Sequence, residues 1–578
     1  MVAENFLKED VSVPEAIIRV LEEAGIDMVF GIPGGNAMHI FDALCDHTST
    51  IRTVLVRHES LAGVMAEVYG RLTGLPGVAI GQGLFMMSNA LLGVLEAHLG
   101  STPMLLMTDL SDGAPYSHHA PYQSGTGEYG TWDAKRSFGG VTKAVMEARI
   151  PSQAVQNTQM AIKHATSGKA GPVALLYHSS SLNGKVGPLS VPHLYSTQSY
   201  MVKIEQWAGP EEIEAVVQLL GSARQPVIIA GNGVRIGRAY DQLQRVAELA
   251  GVPVATTASG KGVFPETHRL ALGVFGTFGL PAANTYIAGA DVILVAGSKL
   301  APSDTASENL ELIDPRRQHL IQIDIEPNNA GWTFPCEHVL IGDAASILSQ
   351  ISHAIEEKKN HPRKKVSERE DYVAAIKKDK GFFATEESRS ETVPLLPQRI
   401  IAEIQEAISD DTIVTCDAGE NRLFMTRFFQ TRMAGTFLSP AATGGMGYAI
   451  PAALAAKLVF PERPAIAICG DGGFAMSMYG MLTACEENIP IVTVVFNNSA
   501  LGWVKHFQAG REIASVFPDM NAAEIAKAMG CYCVRVKEPG QLATALKNAL
   551  DMGVPAVVDV AASLDISFHD ILSPLAKG

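Results

Sequence analysis

One stretch of the sequence, residues 470–498, limits the fold of this chain more than any other. It reads GDGGFAMSMYGMLTACEENIPIVTVVFNN. The apolar run 465–469 in front of it predicts a buried strand, and residues 475–487 show the three- and four-residue apolar spacing of a helix. A second apolar run, 491–496, predicts another strand, which two asparagines follow. Strand, Gly-rich turn, helix and strand form a βαβ unit, whose two strands lie parallel in one sheet.

The ends of these two strands carry groups that suit a cation and a phosphate. Carboxyl ends of neighbouring parallel strands meet at one edge of the sheet, so Asp471 and Asn498 can converge on one hard cation. Gly472 and Gly473 are expected to form a tight turn, after which the helix directs free N–H groups to the same edge. An ordinary turn with a loop aspartate explains GDG alone equally well. The whole combination favours a diphosphate site.

The composition agrees with a large α/β protein and excludes several classes of function. With 578 residues and 53 glycines, the chain has room for three or four domains with many strand-to-helix turns. A net charge of −15 argues against general binding to nucleic acid or to an anionic membrane, since both need clustered Lys and Arg. The seven cysteines show neither a disulfide framework nor zinc spacing, which fits a reducing cytoplasm.

The sequence also predicts a protein without a leader or a membrane span. The first ten residues, MVAENFLKED, lack a basic segment followed by an apolar core. No uninterrupted apolar run is long enough to cross a bilayer. We therefore expect a soluble, cytoplasmic protein.

The N-terminal part offers two weaker signals of a ligand site. The predicted strand 28–30 leads into GIPGG, where Gly34 and Gly35 would leave bare backbone near a ligand. The predicted strand 54–56 is followed by Arg, His and Glu59. Taken alone, a simple turn explains GIPGG equally well, and Glu59 is better explained as a solvent-facing residue in the first turn of a helix.

Together these motifs resemble those of thiamine diphosphate-dependent enzymes of the acetolactate synthase and pyruvate oxidase group. GDGG with NN at this spacing resembles the family's cofactor signature, and VFGIPGG followed by RHE is similar to its pyrimidine-binding domain. The resemblance implies an α/β protein of three domains with parallel sheets flanked by helices. These are a pyrimidine-binding domain (1–182), a Rossmann-like middle domain (190–355) and a diphosphate-binding domain (398–578), with a linker (356–397) before the third.

The resemblance assigns the metal and diphosphate site to the third domain. It implies that Asp471 and the side chain of Asn498 ligate Mg²⁺, joined by the backbone carbonyl of Ala500. Gly472 and Gly473 then lie beside the diphosphate of the bound cofactor.

The resemblance also implies how the rest of the cofactor is held. Glu59 matches the glutamate that activates the cofactor through its pyrimidine ring, in the domain that contains Gly34 and Gly35. In TGGMGY, Met446 would be the apolar support under the cofactor, and the carbonyl of Gly444 would bind the amino group of the pyrimidine. In this family the cofactor lies between two chains, so a homodimer is the smallest expected active unit and a homotetramer is common.

The chain departs from the family on the substrate side. GLFMMS at 83–88 replaces a loop of two glycines and a proline, and Phe85 would narrow the pocket or make its wall more apolar. SALGWVKHFQ parallels the family's substrate-proximal helix, so Trp503, Val504 and Phe507 would face the substrate. Both aromatic residues could equally belong to the core.

A loop-like stretch at 111–140 contains further substrate candidates. The family's Phe-Gln pair, whose glutamine faces the reaction centre, is either residues 122–123, which makes Gln123 the candidate, or is absent, with residues 129–130 at its place. His118 and His119 could donate protons or contact the substrate, because histidine titrates near neutrality. A surface loop with two histidines is the alternative.

The middle domain carries a weak nucleotide signal. A predicted strand at 225–230 is followed by Gly231, Asn232 and Gly233, in the manner of a nucleotide-binding turn. The resemblance allows FAD, ADP, coenzyme A or no occupant there. Lys299 replaces the arginine expected of flavin binders, and no complete dinucleotide fingerprint is present.

The leading expectation is an acetolactate synthase-like lyase or transferase. It would decarboxylate a 2-oxo acid such as pyruvate and ligate the remaining unit to a carbonyl acceptor. The alternatives are a 2-hydroxyacyl-CoA or oxalyl-CoA lyase, a 2-oxo acid decarboxylase or oxidase, and a non-catalytic relative that keeps the fold. We expect a small-molecule 2-oxo acid or 2-hydroxyacyl substrate, and no nucleic acid or membrane partner.

Overall fold

The computed structural model describes residues 4–111, 123–201, 206–358, 363–572 and 575, without the side chains of residues 363–365. The candidates His118 and His119 therefore lie outside the described residues. The chain forms two compact units. The first comprises the chain up to residue 204 with Leu454–Val459 and Leu482–Glu487, and the second comprises the remainder.

The first unit is built around one parallel sheet of six strands in the order β3-β2-β4-β5-β7-β6. Its strands, with a small antiparallel pair formed by β1 and β8, are β1 (Val11–Ser12), β2 (Met28–Gly31), β3 (Arg52–Leu55), β4 (Gly77–Gln82), β5 (Met104–Asp109), β6 (Ala144–Ala148), β7 (Pro172–Tyr177) and β8 (Lys185–Val186). Its helices are α1 (Val13–Glu23), α2 (Met38–Leu44), α3 (Glu59–Thr73), α4 (Gly83–Asn89), α5 (Leu91–Gly100), α6 (Ala134–Gly139), α7 (Pro151–Thr166) and α8 (Ser179–Leu182). The register pairs Gln82 with Asp109, so both side chains lie at the carboxyl edge of this sheet.

The second unit contains two further parallel sheets of six strands each. The middle sheet has the order β11-β10-β9-β12-β13-β14, with strands β9 (Pro226–Ala230), β10 (Val254–Thr256), β11 (Ala271–Val274), β12 (Val292–Ala296), β13 (His319–Asp324) and β14 (His338–Ile341). The helices of this part are α9 (Pro210–Ser222), α10 (Asn232–Ile236), α11 (Tyr240–Ala250), α12 (Pro281–Ala288), α13 (Ala344–Glu357) and α14 (Arg363–Lys380).

The third sheet has the order β16-β15-β17-β18-β20-β19. Its strands are β15 (Ile413–Cys416), β16 (Phe437–Leu438), β17 (Ala465–Gly470), β18 (Val492–Asn497), β19 (Tyr532–Val536) and β20 (Ala556–Ala561). The helices in this part of the chain are α15 (Pro397–Ala407), α16 (Glu420–Phe428), α17 (Ala449–Val459), α18 (Asp471–Ser477), α19 (Gly480–Glu486), α20 (Gly502–Gln508), α21 (Ala522–Ala528) and α22 (Leu542–Asp551). The three α/β domains expected from the sequence are thus present, and β17 and β18 are adjacent parallel strands.

Two local expectations differ from the structure. The single helix expected over 475–487 is two helices, α18 and α19, and Gly472 and Gly473 lie in the first turn of α18 rather than in a turn before it. The stretch 83–88, expected to replace a loop, belongs to helix α4. Leu84 and Met86 in place of the two glycines, and Phe85 in place of the proline, explain this helix, because glycine and proline are the two residues that disfavour helical backbone most.

Helix α14 lies within the stretch 356–397 that the sequence predicts as a linker. Arg369 on α14 donates to the backbone oxygens of Ala223 (2.7 Å) and Ala250 (3.0 Å). Val373 is fully buried, and the rings of Tyr372 and Tyr286 are 5.7 Å apart. These contacts hold the helix on the middle domain although its charged residues hide any apolar periodicity in the sequence.

Within the described ranges, no helix is both long and apolar enough to cross a membrane.

Candidate functional site

A cavity of about 220 Å³ opens at the carboxyl edge of the third sheet. The lining gathers many of the residues that the sequence singles out in this part of the chain: Gly444, Met446, Asp471, Gly472, Gly473, Asn498, Ala500, Trp503 and Val504. They come from the ends of β17 and β18, from α18 and α20, and from the segment before α17. The topology of one parallel sheet therefore brings together residues that are far apart in the sequence.

The carboxylate of Asp471 is fixed by backbone N–H groups. Gly472 donates to Oδ1 (2.8 Å), while Asn498 (3.0 Å) and Ser499 (2.6 Å) donate to Oδ2. A carboxylate has about four lone-pair positions, so these bonds leave room for a cation. Burial raises the pKa of Asp471 to about 6 against the effect of these donors. A cation bound beside it would favour the charged form.

The turn after β18 supplies two more oxygen atoms that can bind a cation, one on the side chain of Asn498 and one on the backbone carbonyl of Ala500. The backbone N–H of Ala500 donates to Oδ1 of Asn498 (3.2 Å), and Ser499 between them has a left-handed backbone (φ 57°). One carboxylate, one amide oxygen and one backbone carbonyl make a donor set that suits Mg²⁺. In the part of the chain that the structure describes, no group of three or more His, Cys, Asp or Glu side chains could hold a metal. The residues present fit the expected cation through these mixed donors.

The glycines of GDGG differ in why they are needed. A Cβ on Gly473 would lie 2.7 Å from Oδ2 of Asp417, whereas one on Gly472 would lie 3.0 Å from Cδ2 of Leu501, a flexible side chain. The space at Gly473 is thus closed by a fixed carboxylate. Gly473 therefore serves packing inside the site, whereas Gly472 faces a flexible side chain, and both glycines line the cavity.

Asp417 follows β15 and is a buried residue that the sequence analysis missed. Its carboxylate accepts hydrogen bonds from the backbone of Ala418 (2.8 Å), Gly447 (2.9 Å) and Tyr448 (3.3 Å). Burial raises the pKa of Asp417 to about 6, against the effect of these donors. The bonds hold the segment that carries Met446. A carboxylate directly after a buried strand, the same signal that Asp471 gives, could have revealed it.

Glu420 is a second acidic residue in the cavity wall that the sequence analysis missed. Its Oε1 accepts from the backbone N–H of Phe568 (2.8 Å) and lies 2.9 Å from Nδ1 of His506. Nε2 of His506 lies 3.0 Å from the carbonyl oxygen of Leu564. The pair therefore joins α16, α20 and the segment after β20.

The three candidates on α20 have different surroundings. Trp503 lines the cavity and stacks on the ring of His569, with centroids 3.8 Å apart. Val504 also lines the cavity and is 40% exposed, while Phe507 is 75% exposed. The alternative of core aromatics thus fails for Phe507, whereas Trp503 is partly buried against the core of this domain.

In the first unit, Glu59 is the first residue of α3 and is half-buried. Nδ2 of Asn89 donates to its Oε2 at 2.8 Å. Asn89 ends α4, so the helix that replaces the family's loop supplies the partner of Glu59.

A buried carboxylate, Asp109, organises the edge of the first sheet. It accepts from the backbone N–H groups of Asn36 (2.8 Å) and Gly83 (3.1 Å), and a Cβ on Gly35 would lie 2.5 Å from its Oδ2. Gly34 is beside the Gln82 side chain, whose Nε2 donates to Oε1 of Gln123 (2.9 Å). The structure therefore brings Gly34, Gly35 and Gln123 together at this edge.

The apolar residues of α4 are divided between core and surface. Phe85 is half-buried, whereas Met86 is fully buried. A Cβ on Gly81 would lie 2.9 Å from the sulfur of Met86. Met86 therefore packs beneath β4, whereas the half-buried Phe85 is available as a wall residue.

The glycines after β9 are explained by close packing. A Cβ on Gly231 would lie 2.4 Å from the backbone oxygen of Gly297, and one on Gly233 would lie 2.6 Å from the Cα of Gly297. Two loops of the middle domain meet here with their backbones in close contact. The turn needs glycine whether or not a nucleotide binds.

Comparison with known families gives three matches in chain order. Residues 11–125 match the family described as thiamine pyrophosphate enzyme, N-terminal TPP binding domain. Residues 213–351 match the central domain of thiamine pyrophosphate enzymes, and residues 417–560 match their C-terminal TPP binding domain.

Curated relatives are similar along almost the whole chain. A probable acetolactate synthase large subunit from Methanocaldococcus jannaschii is 30% identical over 94% of this chain and 91% of the relative. The acetolactate synthase isozyme 3 large subunit of Escherichia coli is 28% identical over 94% and 93%, respectively. A sulfoacetaldehyde acetyltransferase from Alcaligenes xylosoxydans xylosoxydans is 28% identical over 96% and 93%.

Proposed function

The chain belongs to the thiamine diphosphate-dependent enzymes, and from that premise we propose that it is a carboligase of the acetolactate synthase type. It decarboxylates a small 2-oxo acid such as pyruvate and joins the remaining two-carbon unit to a carbonyl acceptor. The observation that carries the proposal is the single cavity that brings Asp471, Asn498 and Ala500 together with Met446. The names of similar proteins favour this reaction over a 2-hydroxyacyl-CoA or oxalyl-CoA lyase.

The proposal gives the cavity residues distinct roles. Asp471, the side chain of Asn498 and the carbonyl of Ala500 hold Mg²⁺, and the backbone at Gly472 approaches the diphosphate. Met446 supports the rings of the cofactor. When bound, thiamine diphosphate supplies an acidic carbon that adds to the carbonyl of the 2-oxo acid and accepts the electrons left when CO₂ departs.

Glu59 is proposed to hold a proton at the pyrimidine ring. Asn89 orients its carboxyl group through the 2.8 Å hydrogen bond. Oriented in this way, the group can pass the proton to and from ring N1′ as a general acid and base.

We also propose self-association, as a homodimer or homotetramer. Four apolar side chains on and after α20 are exposed in the described chain: Val504, Phe507, Ile513 and Val516. Several exposed apolar side chains close together in the sequence favour an interaction surface more than an isolated one does. Sedimentation of the wild-type protein and of Phe507→Glu tests this, because a dimer that depends on this surface should dissociate in the variant.

We propose a structural role for the middle domain, without a bound nucleotide. Packing accounts for Gly231 and Gly233, so this turn by itself gives no support for FAD or ADP. A visible absorption spectrum of the purified protein tests the point, and a flavin band would add FAD to the cofactors.

Proton NMR tests the reaction itself. The purified protein is incubated with thiamine diphosphate, Mg²⁺ and pyruvate, with and without aldehyde acceptors. Acetolactate, acetoin or a mixed hydroxyketone is the expected product, and Asp471→Asn is the control that should lose it. If pyruvate stays unchanged while calorimetry shows bound cofactor, the donor is wrong and larger 2-oxo acids are tested next. If the cofactor does not bind at all, the proposal fails.

A further inference from the structure

The charges in the cavity wall pose a problem for an anionic cofactor. Among the described lining residues, the ionisable side chains are Asp471 and Glu420, and none is Lys, Arg or His. A diphosphate adds at least two more negative charges. Mg²⁺ can compensate Asp471, which leaves Glu420 as a negative charge in the wall of a site that must bind an anion.

The hydrogen bonds around His506 show how this charge is compensated. Nε2 faces the carbonyl oxygen of Leu564 (3.0 Å), which can only accept, so Nε2 carries a hydrogen. Nδ1 faces Oε1 of Glu420 (2.9 Å), so one proton lies between these two atoms. Whether the ring or the carboxyl group holds that proton, the pair as a whole has no net charge.

Of the two residues of the pair, Glu420 lines the cavity and His506 does not. Glu420 is a buried wall residue, and a Cβ on Gly502 would lie 2.7 Å from its Oε2. The side chain of His506 is 12% exposed and stands behind Glu420. In such a setting, charges interact more strongly than they do in water.

We propose that His506 is a positioning residue that keeps Glu420 from opposing the diphosphate, and so makes this cavity able to bind thiamine diphosphate tightly. The inference rests on the proposed function, because it names how the same site tolerates its anionic ligand. His506 acts through Glu420 and does not itself touch the cofactor.

Calorimetric titration with thiamine diphosphate at saturating Mg²⁺ tests the inference. His506→Gln keeps a polar side chain but removes the group that shares a proton with Glu420, so Glu420 becomes an uncompensated anion and the Kd should rise about ten-fold or more. Glu420→Gln with His506→Gln removes both titratable groups and should bring the Kd back to within about three-fold of the wild-type value.

A control and a second readout separate this role from simple anchoring. His164→Gln, at an exposed residue in the last turn of α7, should leave the Kd unchanged. If His506 only anchored the segment that contains Leu564 and Phe568, the double variant would bind as weakly as the single one, and thermal midpoints without cofactor would fall in both. That outcome overturns the inference, as does an unchanged Kd in His506→Gln. A wild-type protein that does not bind thiamine diphosphate would instead overturn the proposed function.

Discussion

At the scale of single residues, Glu59 depends on a partner from another helix. It begins α3, while Asn89 ends α4 and donates to its Oε2 at 2.8 Å. We predict that Glu59→Gln binds thiamine diphosphate nearly as tightly as the wild type does, because the volume and the hydrogen bond are kept. Loss of the proton-transferring group should slow hydrogen–deuterium exchange at C2 of the bound cofactor by roughly 100-fold or more. Quenched-flow NMR measures this rate.

Two matched variants make the result specific. Asn89→Ala should give a smaller decrease in the exchange rate, since the carboxyl group remains but is less well oriented. Glu9→Gln, at an exposed residue near the start of the described chain, should have no effect. If exchange in Glu59→Gln proceeds at the wild-type rate, the assigned role of Glu59 is wrong.

Gly473 lies where a side chain would collide with Asp417 and disturb the residues that Asp417 holds. A Cβ there would lie 2.7 Å from Oδ2 of Asp417, whose carboxylate holds the backbone of Gly447 and Tyr448. We predict that Gly473→Ala destabilises the protein by about 1–3 kcal/mol through this overpacking. Gly470→Ala is the control, because its Cβ would find the nearest atom at 3.7 Å. Equal chemical denaturation midpoints for the two variants would argue against a fixed Asp417.

At the scale of secondary-structure elements, a histidine links the end of α2 to α1. His47 lies in the short 3₁₀ turn after α2, and its two ring nitrogens each lie 2.8 Å from a carboxylate, Glu22 and Glu15. Burial opposes the charged ring, but hydrogen bonds and charge interactions with both carboxylates outweigh it and raise the pKa of His47 above 6.5. Arg19 also contacts Glu15, and Thr50 contacts Glu22.

The sign of this shift gives a pH prediction. A raised folded-state pKa means that the stabilisation is fully present below pH 6.5 and is lost as pH rises through the folded-state value. His47→Gln should therefore destabilise the protein by about 1 kcal/mol at pH 6 and by much less at pH 9. Thermal midpoints over this range measure the difference. His39→Gln, an exposed residue of α2, should show no such trend, and a pH-independent effect in His47→Gln would contradict the assignment.

The same scale shows what the sequence could predict. The βαβ unit around GDGG was predictable, because apolar runs bounded by glycine and asparagine define buried parallel strands. Helix α14 was not, because its contacts, such as those of Arg369 with Ala223 and Ala250, join residues more than a hundred positions apart. Glu420 and His506, 86 positions apart in the sequence, were missed for the same reason. A sequence motif identifies residues that are close along the chain, whereas the contact between Glu420 and His506 forms only when the chain folds.

The positions of the candidate residues differ in the same way. Asp471 and Asn498 could be paired from the sequence, because each directly follows one of two adjacent strands. The contact between Gln123 and Gln82 could not be predicted in this way. Gln123 does not follow a strand but lies in an irregular segment, where its backbone is left-handed (φ 75°). For the stretch 83–88 the predicted conformation was wrong, since the structure has a helix there. The loop was predicted from the resemblance to the family, and the helix propensities of the residues were not considered.

At the scale of the whole molecule, a buried ion pair joins the middle and third domains within the second unit. Nζ of Lys261 lies 2.9 and 2.8 Å from the two carboxylate oxygens of Glu266, and both side chains are almost fully buried. The backbone N–H of Thr431 donates to Oε2 of Glu266 (2.7 Å), and the ring of Phe437 lies 5.5 Å from Nζ. Burial lowers the pKa of Lys261, while Glu266 acts in the opposite direction.

Removing one member of this pair leaves the other charge without compensation. We predict that Lys261→Met destabilises the second unit by about 3–5 kcal/mol, because Glu266 then remains buried beside apolar groups. In Lys261→Met with Glu266→Gln, the amide can still accept from Thr431 and no charge is buried, so most of the stability should return. Lys527→Met is the matched control, because that side chain is 68% exposed and its carboxylate partner is 3.9 Å away. Chemical denaturation with a fluorescence readout compares the four proteins. If the double variant is no more stable than Lys261→Met, the loss arises from packing around Phe437 and not from the unpaired charge, and the two domains are then joined by apolar contact at this point.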